Sequence, residues 1–160
     1  MRFFDTNVLV YAQDALDPAK QSTARKLVQE AIGASEFTIS TQVMQEFYAV
    51  AARRQLLSPT QASTLVQAWA ENEVVSSTPE LVLRAFALQQ SSQLSVWDAL
   101  IVQAALDAGC TTLYTEDMQH GMRFGNLELV NPFLVPAAVH EPPAPYRAAK
   151  RRAVAKATRS

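Results

Sequence analysis

Four carboxylates stand where this chain changes from one element to the next: Asp5, Glu46, Asp98 and Asp117. Asp5 ends the strand-like run Arg2-Phe3-Phe4. Glu46 lies in a helical segment that starts near Thr41. Asp98 opens the helical segment from Trp97 to Ala108, and Asp117 follows the strand-like Thr112-Leu113-Tyr114-Thr115. Each borders a segment apolar enough to be core. Two carboxylates about 5 Å apart repel by roughly 3 kcal/mol at an effective dielectric near 20. Four acids at one edge therefore need a compensating charge. A hard divalent cation, Mg²⁺ or Mn²⁺, turns that repulsion into coordination, and its chemistry on phosphate esters is Lewis-acid hydrolysis.

Each acid also has an ordinary use. Asp5-Thr6-Asn7 fits a turn or a helix N-cap. Glu46 falls at the margin of an apolar stripe, beside Val50. Ser95-Val96-Trp97-Asp98 has the spacing of a capping box. Glu116-Asp117 opens a loop, and His120 reads as a surface-loop histidine. Trp97 shares helical spacing with Leu100, Ile101 and Ala104 and is expected in the core. The hydroxyl of Thr115 is placed to orient a carboxylate or a water. Singly these uses are commonplace; a site follows only if the four acids share one sheet edge.

Periodicity sets out the elements, while the strand order that would give the acids a shared edge comes only by fold analogy. Strands are expected at Arg2–Phe4, 37–39, 73–75, 112–115 and 127–130. Helices are expected at 7–13, 21–32, 41–54, from Pro59 after Ser58, from Pro79 after Thr78 to about Gln90, and from Ser95 to Ala108. Alternating strands and helices indicate an α/β fold, a parallel sheet flanked by helices on both sides. Ligands in such sheets bind beyond the carboxyl ends of the strands, where Asp5 and Asp117 fall.

The 160 residues, 49% apolar, suffice for one domain with a core of its own. The net charge of −1 conceals an asymmetry. Residues 1–146 carry eight Lys/Arg against fifteen Asp/Glu, a net of −7. Residues 147–160 carry six basic residues and no acid, a net of +6. From Pro136 the chain is Pro-rich and then basic, so the expected division is one folded domain over 1–134 and a flexible tail over 135–160. The single cysteine, Cys110, excludes an internal disulfide and is expected to be a buried small residue; with only His120 and His140 beside it, no zinc site can be built. No run approaches the roughly 20 apolar residues of a membrane span, and Met1–Asp5 is too short for a signal peptide, so the expected location is the cytoplasm.

Taken in order, Phe4-Asp5-Thr6-Asn7-Val8-Leu9, the Glu46 helix, Ser95-Val96-Trp97-Asp98-Ala99-Leu100-Ile101 and Leu113 to Gly121 resemble the PIN-domain ribonucleases, and most of all the VapC-type toxins of bacterial toxin–antitoxin pairs. The resemblance covers residues 1 to about 134. It implies a Rossmann-like sheet, a Mg²⁺ or Mn²⁺ site, cleavage of single-stranded RNA to 5′-phosphate and 3′-hydroxyl ends, a homodimer and an antitoxin partner. By motif match Asp5, Glu46, Asp98 and Asp117 take the catalytic roles, with Asp5, Asp98 and Asp117 on the metal. Asn7, Thr115 and Glu116 are the supporting polar positions. Arg53, Arg54 and Arg123, with Arg84 and the tail, are the cations available to RNA, although Arg53 and Arg54 equally suit a helix C-terminus.

Two other classes compete. A noncatalytic module could keep the acids to grip a basic peptide or RNA. Another metal-dependent phosphoryl-transfer fold is disfavoured: a haloacid dehalogenase-like phosphatase wants an Asp two positions after the first, where this chain has Asn7, and a phospho-receiver wants a lysine soon after the late strand, where none follows Thr115 closely.

Overall fold

The computed structural model describes residues 1–134; the expected Pro-rich and basic tail lies outside the described residues. The chain runs β1 (Arg2–Phe4), α1 (Thr6–Tyr11), α2 (Pro18–Gly33), β2 (Phe37–Ser40), α3 (Thr41–Arg53), α4 (Pro59–Trp69), β3 (Glu73–Val75), α5 (Pro79–Gln90), α6 (Val96–Asp107), β4 (Thr112–Tyr114), β5 (Arg123–Phe124) and β6 (Leu127–Val130). The six strands form one sheet in the order β3-β2-β1-β4-β6-β5, parallel throughout except for the antiparallel β5. This is the expected α/β architecture.

The order of the strands places the site. From β1 the chain steps outward through β2 to β3, then returns across the sheet to lay β4 on the other side of β1. Right-handed crossovers then put α1 to α4 on one face and α5 and α6 on the other. Consistently, α1 packs on α2 and α3, α3 packs on α4, and α5 packs on α6. Direction reverses between β1 and β4, and the crevice beyond their carboxyl ends is where such sheets hold ligands.

Burial on both faces explains the composition of the central strands. Phe3 and Phe4 point to opposite faces of β1 and neither reaches solvent, and all four residues of β2 are buried. Phe4 stacks on Phe37 at 5.0 Å between ring centroids, and Phe47 of α3 meets Trp69 of α4 edge-on at 4.6 Å. Short polar side chains start the helices. Ser40, Ser58, Thr78 and Ser95 each accept a hydrogen bond from the backbone N–H three residues on, and Ser58 with Gln61 completes a capping box. Cys110 is buried, as its surroundings predict. No helix among the described residues is long and apolar enough to cross a membrane.

Candidate active site

Asp5 is where the site begins. It leaves β1 and caps α1, so a carboxylate that ends a central strand is drawn inward rather than out to water; only 6% of it is exposed. Its Oδ1 accepts the Thr6 N–H at 2.7 Å. Its Oδ2 accepts the Thr115 hydroxyl at 2.7 Å and the Asn7 amide at 3.2 Å. The N-cap role and the site role are thus filled by the same side chain. Asn7 ties the two central strands together beyond their ends. Its Nδ2 also donates to Asp117 Oδ2 at 2.9 Å, and its Oδ1 accepts the Glu116 N–H at 3.2 Å. Thr115, fully buried, accepts the Asp117 N–H at 3.2 Å, which fixes the turn carrying that acid.

The other two acids arrive from opposite faces of the sheet. Glu46 sits on α3, half-buried; its Oε2 accepts the Thr6 hydroxyl at 2.7 Å and its Oε1 accepts the Gln42 amide at 2.8 Å. Asp98 sits in the first turn of α6. Its backbone N–H donates to Ser95 Oγ at 3.1 Å, while its half-buried carboxylate lines the cavity. All four acids line this one cavity of about 560 Å³, together with Thr6, Asn7, Gln42, Trp97 and a face of α3 that runs through Ala49 and Val50 to Arg53 and Arg54.

The electrostatics follow from this crowding. Burial pushes the Asp5 carboxyl up to about 6; hydrogen bonds from Thr115 and Thr6 pull it back, and the charges of Asp117 and Glu46 push it further up. Burial also raises Asp98, with Ser95 opposing and Asp117 and Glu46 adding to the rise. Among the described residues no Lys, Arg or His forms an ion pair with any of the four acids. The cavity therefore holds an excess of negative charge with no cation of its own against the acids.

Residues 2–121 match the PIN domain family. The chain belongs to the PIN domain family. Solved structures with the same fold include VapC20 of Mycobacterium tuberculosis, described as a sarcin–ricin loop cleaving toxin. It is 22% identical, with a TM-score of 0.56 over 73% of this chain and 90% of that one. A toxin–antitoxin complex from Klebsiella pneumoniae is 19% identical, with a TM-score of 0.61 over 84% of this chain and all of the other. VapBC2 of Rickettsia felis, bound to a DNA fragment from its promoter, is 18% identical, with a TM-score of 0.55 over 80% of this chain and 96% of that one. No curated protein sequence matches the chain.

In this PIN domain the site residues expected from sequence fall into two groups. Asp5, Glu46, Asp98, Asp117, Asn7 and Glu116 line the cavity, with Arg53 and Arg54 toward the end of α3; Thr115 lies beneath, bonded to Asp5. Arg54 is engaged with the buried Asp14 at 2.5 Å, whereas Arg53 is exposed with no ion pair among the described residues. Arg123 is not brought to the cavity: it lies on β5, paired with Glu128 at 2.5 Å. Arg84 pairs with Asp107 at 2.5 Å, and His120 accepts the Asn131 N–H through Nδ1 at 3.1 Å.

Glu116 turns to Lys20, which also donates to the Tyr11 hydroxyl and lies over the Tyr11 ring. That contact raises the Lys20 pKa and anchors the loop behind Asp117. Lys20, Thr6 and Gln42 are the residues the sequence reading missed. Gln42 had a signal, one helical turn before Glu46; Lys20 had none. Trp97 corrects the expectation directly: it is 64% exposed at the cavity, not packed in the core.

The donor set suits a hard cation, being carboxylate oxygen throughout with amide and hydroxyl oxygens beside it. No group of three or more His, Cys, Asp or Glu side chains among the described residues forms a ready cage. Mg²⁺ needs none, since it retains waters and binds through one or two carboxylates.

Proposed function

We propose that this PIN domain is a divalent-metal-dependent endoribonuclease that hydrolyses RNA phosphodiester bonds and acts as the toxin of a type II toxin–antitoxin pair. The observation that carries the reading is the convergence of four acids, from four separate elements, on one cavity where no basic side chain pairs with them. Asp5, Asp98 and Asp117 would hold Mg²⁺ or Mn²⁺. When bound, the ion supplies charge neutralisation and Lewis-acid polarisation of the scissile phosphodiester.

The chain's own groups do the rest. Thr115 and Asn7 fix the Asp5 carboxylate, and Asn7 holds Asp117 beside it. Thr6 and Gln42 fix both oxygens of Glu46 and leave lone pairs free to accept the proton of an attacking water. Arg53, seven residues along α3 from Glu46, lies about 10 Å further down the cavity wall. It is the cation placed for a neighbouring phosphate, and Arg54, already held by Asp14, supports the same end. The toxin role is supported by the VapC and toxin–antitoxin structures that share the fold. An antitoxin presenting basic side chains would fit the same acidic cavity, in a cytoplasmic homodimer.

The test is cleavage of a panel of structured RNAs by wild type and Asp98→Ala, in Mn²⁺ and in chelator. The reading expects cuts only by wild type in Mn²⁺. Cutting that persists in chelator, or that survives in Asp98→Ala, overturns it. Tight binding of a basic peptide with no cutting of any RNA would establish the noncatalytic module instead.

A further inference from the structure

Trp97 is the most conspicuous side chain that the nuclease chemistry leaves unused. Every other position named in the core stripe of α6 is at least half-buried, and Ile101 and Ala104 are almost wholly so. Trp97 alone keeps 64% of its surface in solvent. An indole buries as much apolar area as any side chain when it is given a partner, so leaving one open forgoes a large gain. Trp69, by contrast, is 4% exposed against Phe47 and Phe37.

The indole is not loose on a loop. Trp97 belongs to the first turn of α6, and its backbone carbonyl accepts the Gln42 amide at 3.5 Å, the same amide that holds Glu46. The backbone of Trp97 is therefore set in register with the acids. Consecutive helical residues point about 100° apart, so the ring flanks the Asp98 carboxylate rather than covering it. The cavity then offers three chemistries side by side: an anionic centre for a cation and phosphate, a guanidinium at Arg53, and a flat apolar face. A nucleotide presents the matching parts.

We propose that Trp97 is a stacking platform for an unpaired nucleobase next to the scissile phosphate, a substrate contact that the nuclease reading does not assign. This inference rests on the nuclease reading above. Aromatic rings grip bases by stacking whatever their sequence, and only bases out of a duplex offer a free face. Trp97 thus selects unpaired RNA and leaves sequence choice to other contacts.

The test uses a short mixed-sequence RNA, single-stranded or annealed to its complement, with binding followed in Ca²⁺ and cleavage in Mn²⁺. Trp97→Ala is expected to weaken single-strand binding about tenfold and to raise KM with kcat little changed, while Trp97→Phe keeps most of the affinity. In Trp69→Phe, where Trp97 is the only indole, the single strand is expected to quench the fluorescence and the duplex to leave it unchanged. Removing bases from the probe is expected to weaken wild type and not Trp97→Ala.

Equal affinity and equal KM in wild type and Trp97→Ala would overturn the platform while leaving the nuclease standing. So would a Trp97→Ala protein that changes oligomeric state yet binds RNA unchanged, which would assign the indole to a protein interface. A wild type that neither binds nor cuts RNA defeats the nuclease reading and this inference with it.

Discussion

The two ends of the sheet carry clefts of similar size and opposite chemistry. Beyond the carboxyl ends of β1 and β4, the cavity of about 560 Å³ gathers Asp5, Glu46, Asp98 and Asp117. At the amino ends of β4 and β6, a cleft of about 510 Å³ is lined by Leu88, Leu106, Cys110, Phe124 and Leu127, with Cys110 its one titratable side chain. Burial pushes that thiol up, only partly offset by Thr38, so it stays protonated and inert. The same helix serves both ends: α6 carries Asp98 in its first turn and ends at Asp107, three residues before Cys110. A helix N-terminus favours an anion in its first turn, and the acid stands at that end of α6. Cleft size does not distinguish the ends; unpaired charge does.

The largest expected effect that separates the two ends is on activity. Asp5→Asn removes the charge proposed to hold the metal but keeps the shape, and is expected to lower Mn²⁺-dependent cleavage by roughly 10²–10³-fold. Cys110→Ala, at the other end, is expected to cleave like wild type. Comparable losses in both variants would erase the distinction.

Stability against pH comes next. The folded pKa of Asp5, about 6, lies above its unfolded value of 3.8, so the native state holds this proton more tightly. Its contribution to stability is complete below about pH 3.8 and is lost as pH rises through 6, a change of about 3 kcal/mol. Asp98 shifts the same way. In chelator, wild type is therefore expected to lose stability relative to Asp5→Asn between pH 4.5 and 7.5 by urea melts, and Mn²⁺ is expected to restore it. A wild type that gains on Asp5→Asn over that interval contradicts the assignment.

Smaller effects probe the hydrogen bonds. Thr6→Val removes the hydroxyl that holds Glu46 Oε2 and is expected to slow cleavage about tenfold, with about 1 kcal/mol lost in stability. Cys110→Ala is expected to lose on the order of 1 kcal/mol in a denaturant melt with no change in kcat/KM.

Much of this contrast is legible in the chain, and what is not has physical causes. Strand and helix periods are local, so β1, β3 and β6 fall where the pattern puts them, and Ser58, Thr78 and Ser95 mark helix starts. Helix α2 begins at Pro18, earlier than its apolar stripe, because Asp17 caps it. The two-residue β5 is too short for a period, yet Gly125-Asn126 between Phe124 and Leu127 is a hairpin signal, and Gly125 takes the φ of +57° that such a turn requires. That β1 pairs with β4, more than a hundred residues away, cannot be read locally; the resemblance to PIN domains supplied it. Trp97 was misplaced because α6 is apolar on almost every face, so spacing does not tell which face meets solvent. Lys20 reaches Glu116 only through the fold.

Isothermal calorimetry of Mn²⁺ titrated into wild type, Asp5→Asn and Asp98→Ala, each with a short RNA present, tests the account at its centre. The four-acid cavity predicts saturable ion uptake by wild type and severe loss of it in both variants. Absence of uptake by wild type, or equal uptake by all three proteins, would contradict it.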